Sequence, residues 1–476
     1  MSTVLLGNLQ LTSMVITFII SLISSSVISF HVAYYWLGKL RKQITITPVK
    51  CESPPLVTVV IPIRNEPLDI LNRLLKAIVS QRYPKDKIEV IIVSDDEENY
   101  FREIKKQVDA FSSKSKLTVK VFRREEPRGF KAGALNYALR RSKGKYIVIF
   151  DADAVPEPDY LEKAITYLEG NGNVDGLAAR WIPLNKNSTP VSEAQAISLD
   201  FLTTIFFEGR SRAGGPIIAP GSGCAFRKEA VLRAGGWNEE CLAEDIELSV
   251  KILLSGRRIA YLSGAKVKVE NPETYGAFKK QQARWIYGST QVLAKYFVKI
   301  VKSRMPLLWK LELILYLLQY HVLLANFAFA ALALTSILAK TDLLLPSIYF
   351  SPILMVLLIL QAHAYYDAAR KLGLNPIKSI VVMGRCTAIA ATLAPIVALQ
   401  SAKALLNLRE KWYITPKGPL AKAVRELNIT EPLLGISGAL AGFILLHSGF
   451  IASAMCIFTL SLPFIYVSWK SVKKAW

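Results

Sequence analysis

The chain has 476 residues, of which 52% are hydrophobic, and its mean hydropathy is +0.30. This composition excludes an ordinary soluble globular protein, whose hydrophobic share is lower. The charge balance is strongly basic, because 59 Lys and Arg residues against 37 Asp and Glu residues give a formal net charge of +22. A nucleic-acid-binding protein and a membrane protein with cytoplasmic loops both carry such an excess. The hydropathy favours the membrane protein.

The cysteines and histidines exclude further kinds of site. The five cysteines contain no Cys-x-x-Cys pair, so the sequence predicts neither a zinc site nor a disulfide framework. All four histidines lie in apolar segments, and none lies between residues 32 and 320. Proton removal in that central region therefore falls to a carboxylate.

The first predicted element is a transmembrane helix within residues 1–42. The apolar run 12–37 is long enough to cross a bilayer, and the basic run GKLRK follows it at once. The positive-inside rule then places the N-terminus outside and residue 42 in the cytoplasm. A cleaved signal peptide is the alternative, but the run lacks a charged n-region and a small-residue cleavage site.

Residues 54–272 alternate between predicted strands and helices. VTVVIPI, IEVIIVS, LTVKVF and KYIVIF are short runs rich in β-forming residues, and helical patterns such as LDILNRLLKAIVS and KAGALNYALRR lie between them. This alternation predicts an α/β domain with a parallel sheet and helices on both faces. Ligands bind such domains at the carboxyl ends of the strands.

The remainder of the chain is apolar again. We predict an interfacial amphipathic helix at 273–305, two transmembrane helices in 306–372 (near 314–338 and 344–366), and two more in 432–476 with a cytoplasmic tail. In the region 373–431, an apolar helix at 377–407 carries Lys378, Arg385 and Lys403. Counting this helix as a span would put Lys-containing segments outside, so we predict that it is interfacial, with a spanning helix as the alternative.

Two aspartates end the last predicted strand. Asp151 and Asp153 stand one residue apart in IVIFDADAVPEPDY, and such a pair at the mouth of a parallel sheet can hold a hard cation through oxygen ligands. The cation would bridge a diphosphate and neutralise the charge that builds on a leaving group. The alternative is a solvated strand end or a helix cap.

Other polar residues stand at the ends of predicted elements. Asp95, at the end of IEVIIVSDD, can accept hydrogen bonds from a nucleobase or ribose. Arg128 and Lys131 lie beside a helix start, and cations next to helix amides suit phosphate. Asp245, which follows Glu244 at the start of another helix, is a candidate general base. Helix capping or a basic surface loop explains the same residues without a ligand.

The segment QQARW lies on a predicted amphipathic helix. Gln281, Arg284 and Trp285 are spaced i, i+3 and i+4, so one helix face presents all three. Trp285 can stack on a sugar ring and Arg284 can bind phosphate oxygens, whereas an interface Trp with snorkelling cations is the alternative. An apolar stripe is predicted to lie on lipid: Phe278, Ile286, Val292, Leu293, Tyr296 and Phe297.

These motifs resemble, in the same order, those of membrane-integrated family 2 glycosyltransferases, which include cellulose, hyaluronan, chitin and mannan synthases. The segments are VVIPIRNEP, IIVSDD, KAGALN with DAD, AED and QQARW, and WYITPK at 412–417 is similar to the family's gating loop. The resemblance covers about residues 54–420. It implies a cytoplasmic glycosyltransferase-A (Rossmann-like) α/β domain between an N-terminal transmembrane helix and a C-terminal helical membrane domain with interfacial helices.

The resemblance also implies roles for individual residues. Asp245 matches the catalytic base, and Asp151 and Asp153 match the ligands of Mg²⁺ or Mn²⁺. The positions implied to bind the donor are Glu66, Asp95, Lys131, Asp151, Arg284, Thr415 and Lys417. The positions implied to bind the acceptor are Gln281, Trp285 and Glu244. Ala243 departs from the family pattern, where Thr is usual.

The implied activity is an inverting transfer of a sugar from a nucleotide-sugar to a growing polysaccharide. UDP is the expected nucleotide, with GDP-mannose as an alternative, and synthesis is expected to be processive with export of the product. The alternative acceptor is a lipid, as in ceramide glucosyltransferase-like enzymes. An inactive lipid-binding scaffold is disfavoured because every expected carboxylate is present, and nucleic-acid binding because the cations flank apolar segments. We therefore expect a multi-pass protein of the cell membrane, in contact with membrane lipids, whose catalytic domain is cytoplasmic.

Overall fold

An eight-stranded sheet forms the centre of the α/β domain in the computed structural model, which describes residues 3–41, 53–115, 117–408 and 429–472. The strands are β1 (Val57–Ile63), β2 (Ile88–Ser94), β3 (Thr118–Arg123), β4 (Tyr146–Ile149), β5 (Val155–Pro156), β6 (Val174–Pro183), β7 (Cys224–Arg227) and β8 (Arg258–Val269). They are arranged in the order β3-β2-β1-β4-β7-β6-β8-β5. The four strands predicted from the sequence are β1 to β4, and each bound agrees within one residue.

The sheet is mixed, whereas the sequence predicted a parallel one. β3, β2, β1 and β4 run parallel, but β7 is antiparallel to both β4 and β6, and β5 is antiparallel to β8. The parallel part needs crossover helices, which the alternating pattern indicated. Because β7 runs in the opposite direction, its amino end lies at the same edge of the sheet as the carboxyl end of β4.

Helices cover both faces of this sheet. They are α2 (Leu68–Val79), α3 (Glu98–Ser115), α4 (Phe130–Leu139), α5 (Tyr160–Gly170), α6 (Pro190–Leu202), α7 (Arg210–Ala213), α8 (Lys228–Arg233) and α9 (Glu244–Leu254). A π-helix, Thr203–Gly209, joins α6 to α7. One core packs α2, α3 and α5 on the sheet, and a second core packs α4, α8 and α9 on the opposite face. Each fully buried aliphatic side chain in these cores contributes about 1.5–3 kcal/mol.

The other helices lie outside the α/β domain. They are α1 (Thr3–Leu40), α10 (Tyr275–Lys302), α11 (Leu307–Leu317), α12 (Ala325–Ala339), α13 (Ser351–Lys371), α14 (Pro376–Ala391), α15 (Ala394–Leu405), α16 (Thr430–His447) and α17 (Ile451–Val472). Six helical segments of the described chain are long and apolar enough to cross a membrane: Gly7–Leu40, His321–Ala339, Ser351–Lys371, Pro376–Leu405, Thr430–His447 and Ile451–Ser471.

The predicted span 314–338 is interrupted. α11 ends at Leu317, and a 3₁₀ turn at His321–Leu324 precedes α12. In α11 the buried carboxylate of Glu312 forms an ion pair with Arg210 of the α/β domain. This pair joins α11 to the α/β domain.

The segment Pro376–Leu405 contains two helices, α14 and α15, with a break at Thr392 and Leu393. Lys378 and Arg385 of α14 both form ion pairs with Glu193 of α6, at 2.6 and 3.1 Å. These cations therefore belong to a contact with the α/β domain. Whether the segment is interfacial or spanning stays a prediction, since its length and composition satisfy both descriptions.

The prediction that the apolar stripe of α10 faces lipid is partly wrong. Gln281, Arg284 and Trp285 share one face, as expected, but four of the apolar residues that were predicted to face lipid are buried inside the protein. They are Phe278, Ile286, Val292 and Tyr296, and they pack against α6, α9, α11 and the α14–α15 pair. Phe297 is exposed, together with Val298 and Val301, near the end of the helix. α10 is therefore mainly a core helix that joins the α/β domain to the membrane helices.

Gly288 sets the distance between α10 and α9. A Cβ at Gly288 would lie 2.5 Å from the Cβ of Ala243, the residue that precedes α9. We expect Gly288→Ala to lower the thermal unfolding midpoint in detergent, because overpacking of about 1–3 kcal/mol outweighs a helix-propensity gain of about 1 kcal/mol. Gly384→Ala in α14 is the matched control, because no atom lies within 4 Å of its Cβ position. It should raise the midpoint, and an equal rise in both variants would contradict the close packing.

Candidate active site

The polar residues predicted at the strand ends meet in one cavity of about 520 Å³. The carboxyl ends of β1, β2 and β4 contribute Glu66, Asp95, Asp151 and Asp153, because parallel strands end at the same edge of the sheet. α4, α9 and α10 complete the cavity with further predicted residues: Lys131, Glu244, Asp245, Gln281, Arg284 and Trp285. Thr415 and Lys417, with the rest of WYITPK, lie outside the described residues.

Lys131 lies at the centre of the carboxylate cluster. Its Nζ is 2.7 Å from Asp151 Oδ1 and 3.5 Å from Glu244 Oε1. Burial lowers the pKa of Lys131, but Asp151, Glu244 and Asp245 together outweigh that effect and raise it above its ordinary value. The ammonium group is therefore charged and partly neutralises the cluster.

Asp245 lies in the first turn of α9 without capping it. The N-cap position belongs to Ala243, and Asp245 Oδ1 accepts a hydrogen bond from the amide of Ile246 at 2.8 Å. Burial raises the pKa of Asp245, while Lys131 and the Ile246 amide oppose the rise. Burial raises the pKa of Glu244 in the same way, again against Lys131. Raised carboxylate pKa values in a cavity are typical of groups that exchange protons.

A glycine turn beside these carboxylates was not singled out in the sequence. Gly221 has a φ of +83°, and a Cβ there would lie 2.8 Å from Asp245 Oδ2 and 3.4 Å from Lys131 Nζ. The next residue, Ser222, accepts the amide hydrogen bond of Asp151 through Oγ at 3.0 Å. The sequence PGSG does signal a turn, but only the antiparallel β7 brings that turn to the site.

A partly exposed ion pair beside Asp153 was also missed. Arg73 of α2 forms an ion pair with Glu270 at 2.6 Å, and its Nη2 donates to the backbone oxygen of Asp153 at 3.3 Å. The pair joins β8 to the loop after β4 and restrains the Asp-x-Asp segment. Residues so distant in the sequence give no local signal that they meet.

The two aspartates suit a metal that is shared with a ligand. No group of three or more His, Cys, Asp or Glu in the described part of the chain could hold a metal ion alone. Mg²⁺ commonly binds through one or two carboxylates together with substrate phosphates, and Asp151 and Asp153 fit that pattern. The ammonium group of Lys131 against Asp151 shows that this carboxylate already accommodates a cation. Mg²⁺ or Mn²⁺ at this position would neutralise charge on a leaving diphosphate.

The expected nucleoside carboxylate is part of a buried ion pair. Asp95 receives two bonds from Arg124, through Nε at 2.6 Å and Nη2 at 2.5 Å. The same guanidinium group donates to the backbone oxygens of Arg128 and Phe130, at 2.6 and 3.0 Å. Phe130 has a φ of +49°, which is strained for an aromatic residue. Arg124 therefore ties the end of β2 to the strained turn that presents Lys131.

The same cavity is also lined by aromatic residues of helices that flank the α/β domain. We call this part of the cavity the aromatic arm. His31 of α1, Phe206 of the π-helix and Tyr316 of α11 line this arm. Phe201 and Tyr365 also line it, and their rings stack with centroids 3.9 Å apart. Aromatic faces of this kind bind sugar rings or apolar chains. The arm was not predicted, because its residues come from separate helices whose packing no local pattern encodes.

The fold and the cavity together define a glycosyltransferase with a GT-A-like α/β domain and apolar helices at both ends of the chain. Residues 54–288 match the family model described as "Glycosyltransferase like family 2". A probable glycosyltransferase of Sulfolobus acidocaldarius is 30% identical over 433 residues, which cover 90% of this chain and 91% of that protein. The chain therefore belongs to glycosyltransferase family 2, and the resemblance found in the sequence is confirmed.

Two further relatives are similar over a shorter region. Glucomannan 4-beta-mannosyltransferase 2 of Arabidopsis thaliana is 32% identical over 266 residues, which are 55% of this chain and 49% of that protein. The chain thus aligns with about half the length of this plant relative. Mannosyltransferase PcManGT from Pyrobaculum calidifontis, solved in complex with GDP-Man and Mn²⁺, has the same fold. It is 22% identical, with a TM-score of 0.53 over 83% of this chain and all of that chain.

The Asp95–Arg124 pair should be important for stability. Both side chains are 7% exposed, so Arg124→Met would leave a buried carboxylate unpaired at a cost of about 3–5 kcal/mol. We expect a large drop in the thermal unfolding midpoint of the purified protein in detergent. Arg102→Met is the control, because Arg102 pairs with Glu98 on the exposed surface of α3, where such pairs contribute about 1 kcal/mol or less. Equal drops in the two variants would contradict the importance of the buried pair.

Proposed function

We propose that this glycosyltransferase moves mannose from GDP-mannose to a growing polysaccharide at the membrane, by an inverting and metal-dependent reaction. The observation that carries the proposal is the single cavity in which the strand-end carboxylates, the QQARW face and the aromatic arm meet. Donor and acceptor can therefore be held at one point, which transfer without a covalent intermediate requires.

We propose that the donor binds along the carboxyl ends of β1, β2 and β4. In our proposal Glu66 and Asp95 bind the nucleoside, with Asp95 keeping lone pairs that Arg124 does not use. Lys131 and Arg284 bind the diphosphate beside Asp151. α4 also offers its first-turn amides, because no side chain caps its N-terminus, and such amides favour phosphate.

The identity of the sugar is supported by the relatives. Several are named glucomannan 4-beta-mannosyltransferases, and the PcManGT structure holds GDP-Man. These names favour GDP-mannose over the UDP-sugar expected from the resemblance. The UDP-sugar stays the alternative, and the donor experiment below includes both.

The proposed transfer is a direct displacement in a single step. Asp245 accepts the proton of an acceptor hydroxyl, whose oxygen attacks the anomeric carbon from the face opposite the diphosphate. The bond between that carbon and the diphosphate oxygen breaks, and the electron pair leaves with the diphosphate. Lys131 and Arg284 stabilise the departing charge. A metal ion held by Asp151 and Asp153 would supply further positive charge beside the departing diphosphate.

The acceptor is proposed to enter from the membrane side. Trp285 offers a flat face for the terminal sugar, Gln281 a hydrogen-bonding amide, and Glu244 an acceptor for a sugar hydroxyl. The stacked rings of Phe201 and Tyr365 continue the path away from the carboxylates. Repeated transfer along this path would give processive synthesis with export. Thr415 and Lys417 are proposed to bind the donor, as the sequence resemblance implies.

The proposed orientation of the protein in the membrane rests on the basic residues at the end of α1. Lys39 and Arg41 lie at the end of α1 that contacts the α/β domain, and Lys and Arg collect on the cytoplasmic side. We therefore propose a multi-pass protein of the cell membrane with a cytoplasmic catalytic domain.

Replacement of the proposed base should affect rate more than binding. Asp245→Asn is expected to lower the transfer rate by about 10²- to 10⁴-fold, because general-base catalysis is lost, while nucleotide affinity remains close to that of the wild type. Initial rates and nucleotide titrations on the same preparation check this. Asp159→Asn, at the residue that precedes α5 and pairs with Lys163 away from the cavity, is the control. Activity retained in Asp245→Asn would contradict the assignment.

The pH profile should report the raised pKa of Asp245. Only the ionised carboxylate can accept a proton, so activity is present above that pKa and lost as the pH falls through it. Because burial raises the pKa of Asp245, the acid limb of kcat/KM should lie above the ordinary aspartate value of about 4. Glu244→Gln should keep an acid limb, since Asp245 remains. Loss of the limb in Glu244→Gln would move the role to Glu244.

The product decides between the proposed function and its alternative. Protein in lipid vesicles with Mn²⁺ is given labelled GDP-mannose, UDP-glucose or UDP-N-acetylglucosamine, and the product is sized. A long chain from GDP-mannose is expected. A single labelled sugar in the organic phase would instead assign the protein to glycolipid synthesis, and chain formation from a UDP-sugar alone would contradict the donor.

A further inference from the structure

We propose that Lys131 is a resident counter-cation that holds the metal position until the donor arrives, so that metal and nucleotide-sugar bind together. The inference rests on the proposed function and goes beyond it, because it concerns the order in which the site is filled. It assigns to Lys131 a task in the donor-free protein that is separate from binding the diphosphate.

The geometry of the donor-free site is the first observation. Lys131 Nζ lies 2.7 Å from Asp151 Oδ1; the lysine side chain is 14% exposed and the Asp151 side chain 38%, so the ammonium group is the more shielded partner of this contact. Asp151 is the carboxylate that the metal would share with the diphosphate. A metal ion bound to Asp151 would lie close to the ammonium group, and the two cations would repel each other.

The number of ligands is the second observation. The described residues provide no cluster of three or more metal-binding side chains, whereas Mg²⁺ requires about six oxygen ligands. Asp151 and Asp153 alone therefore compete poorly against an ammonium group that is already in place. A diphosphate favours the metal ion over the ammonium group at Asp151 in two ways. Its oxygens add ligands for the metal, and they accept hydrogen bonds from Lys131.

A second carboxylate can keep the ammonium group of Lys131 paired when it leaves Asp151. Glu244 Oε1 lies 3.5 Å from Nζ, on α9 rather than at the sheet edge. When the donor enters, the ammonium group can give up Asp151 while it keeps Glu244 and gains phosphate oxygens. The positive charge thus stays inside the site throughout, and the buried carboxylates are never left without a cation.

The consequence is a coupling between the two ligands. Nucleotide should raise the affinity for metal, and metal should raise the affinity for nucleotide by the same factor, as linkage requires. Removal of the ammonium group should weaken the coupling, because metal no longer has to displace a cation from Asp151. Metal binding in the absence of nucleotide should therefore become tighter in a variant that lacks Lys131.

The test is a titration with Mn²⁺, followed by electron paramagnetic resonance of the free ion, on full-length protein in detergent. The wild type should bind Mn²⁺ at least 10-fold more tightly with GDP than without it. Lys131→Met should bind Mn²⁺ without nucleotide at least 10-fold more tightly than the wild type does. Lys163→Met, which removes a surface lysine of α5, is the matched control and should behave as the wild type. Adding Asp151→Asn to Lys131→Met should cancel the gain.

Each outcome has one meaning. If the wild type binds GDP yet binds Mn²⁺ equally tightly with and without it, the inference is wrong while the proposed function survives. That comparison needs no variant, so it holds even if Lys131→Met does not fold. An unchanged nucleotide-independent affinity in a folded Lys131→Met protein would also overturn the inference. Failure to bind GDP or UDP at any Mn²⁺ concentration would overturn the proposed function and the inference together.

Discussion

Three carboxyl groups interact electrostatically with the ammonium group of Lys131. The neighbouring turns and helices hold these four groups together. Asp151 comes from the end of β4, whereas Glu244 and Asp245 come from the start of α9. Like charges in a shielded cavity raise one another's pKa unless a cation lies between them. The strained turn before Lys131, held by Arg124, and Gly221 beneath the ammonium group both serve this contact.

α10 connects this charged site to the membrane helices. Its early turns carry Arg284 and Trp285 into the cavity, and Gly288 lets the next turn approach α9 closely. On its other sides, Tyr275 donates a hydrogen bond to Glu431 of α16 at 3.0 Å, and Tyr287 donates to the backbone oxygen of Leu408 at 2.9 Å. α10 is therefore fixed at several points between the cavity and the membrane helices. Rigid placement of this kind holds Arg284 and Trp285 in position in the cavity.

The sequence predicted those parts of the molecule that rest on local patterns. β1 to β4 and the meeting of Asp95, Asp151 and Lys131 follow from strand composition and from the rule that parallel strands end at one edge. Antiparallel β7, the Arg73–Glu270 pair and the aromatic arm could not be predicted in this way, because each joins residues that are far apart in the chain. The lipid-facing stripe of α10 was wrong for a related reason. Amphipathic periodicity shows that one face is apolar, but it does not tell lipid from protein core.

We propose that the carboxylate edge of the sheet and the QQARW face form one transfer site. A structure of the protein in lipid nanodiscs with Mn²⁺ and a non-hydrolysable GDP-mannose analogue tests it most directly. We expect Mn²⁺ between Asp151, Asp153 and the diphosphate, with the anomeric carbon facing Asp245 and Trp285. A nucleotide bound elsewhere, or a sugar turned away from Trp285 with no path from Asp245 to the anomeric carbon, would contradict it.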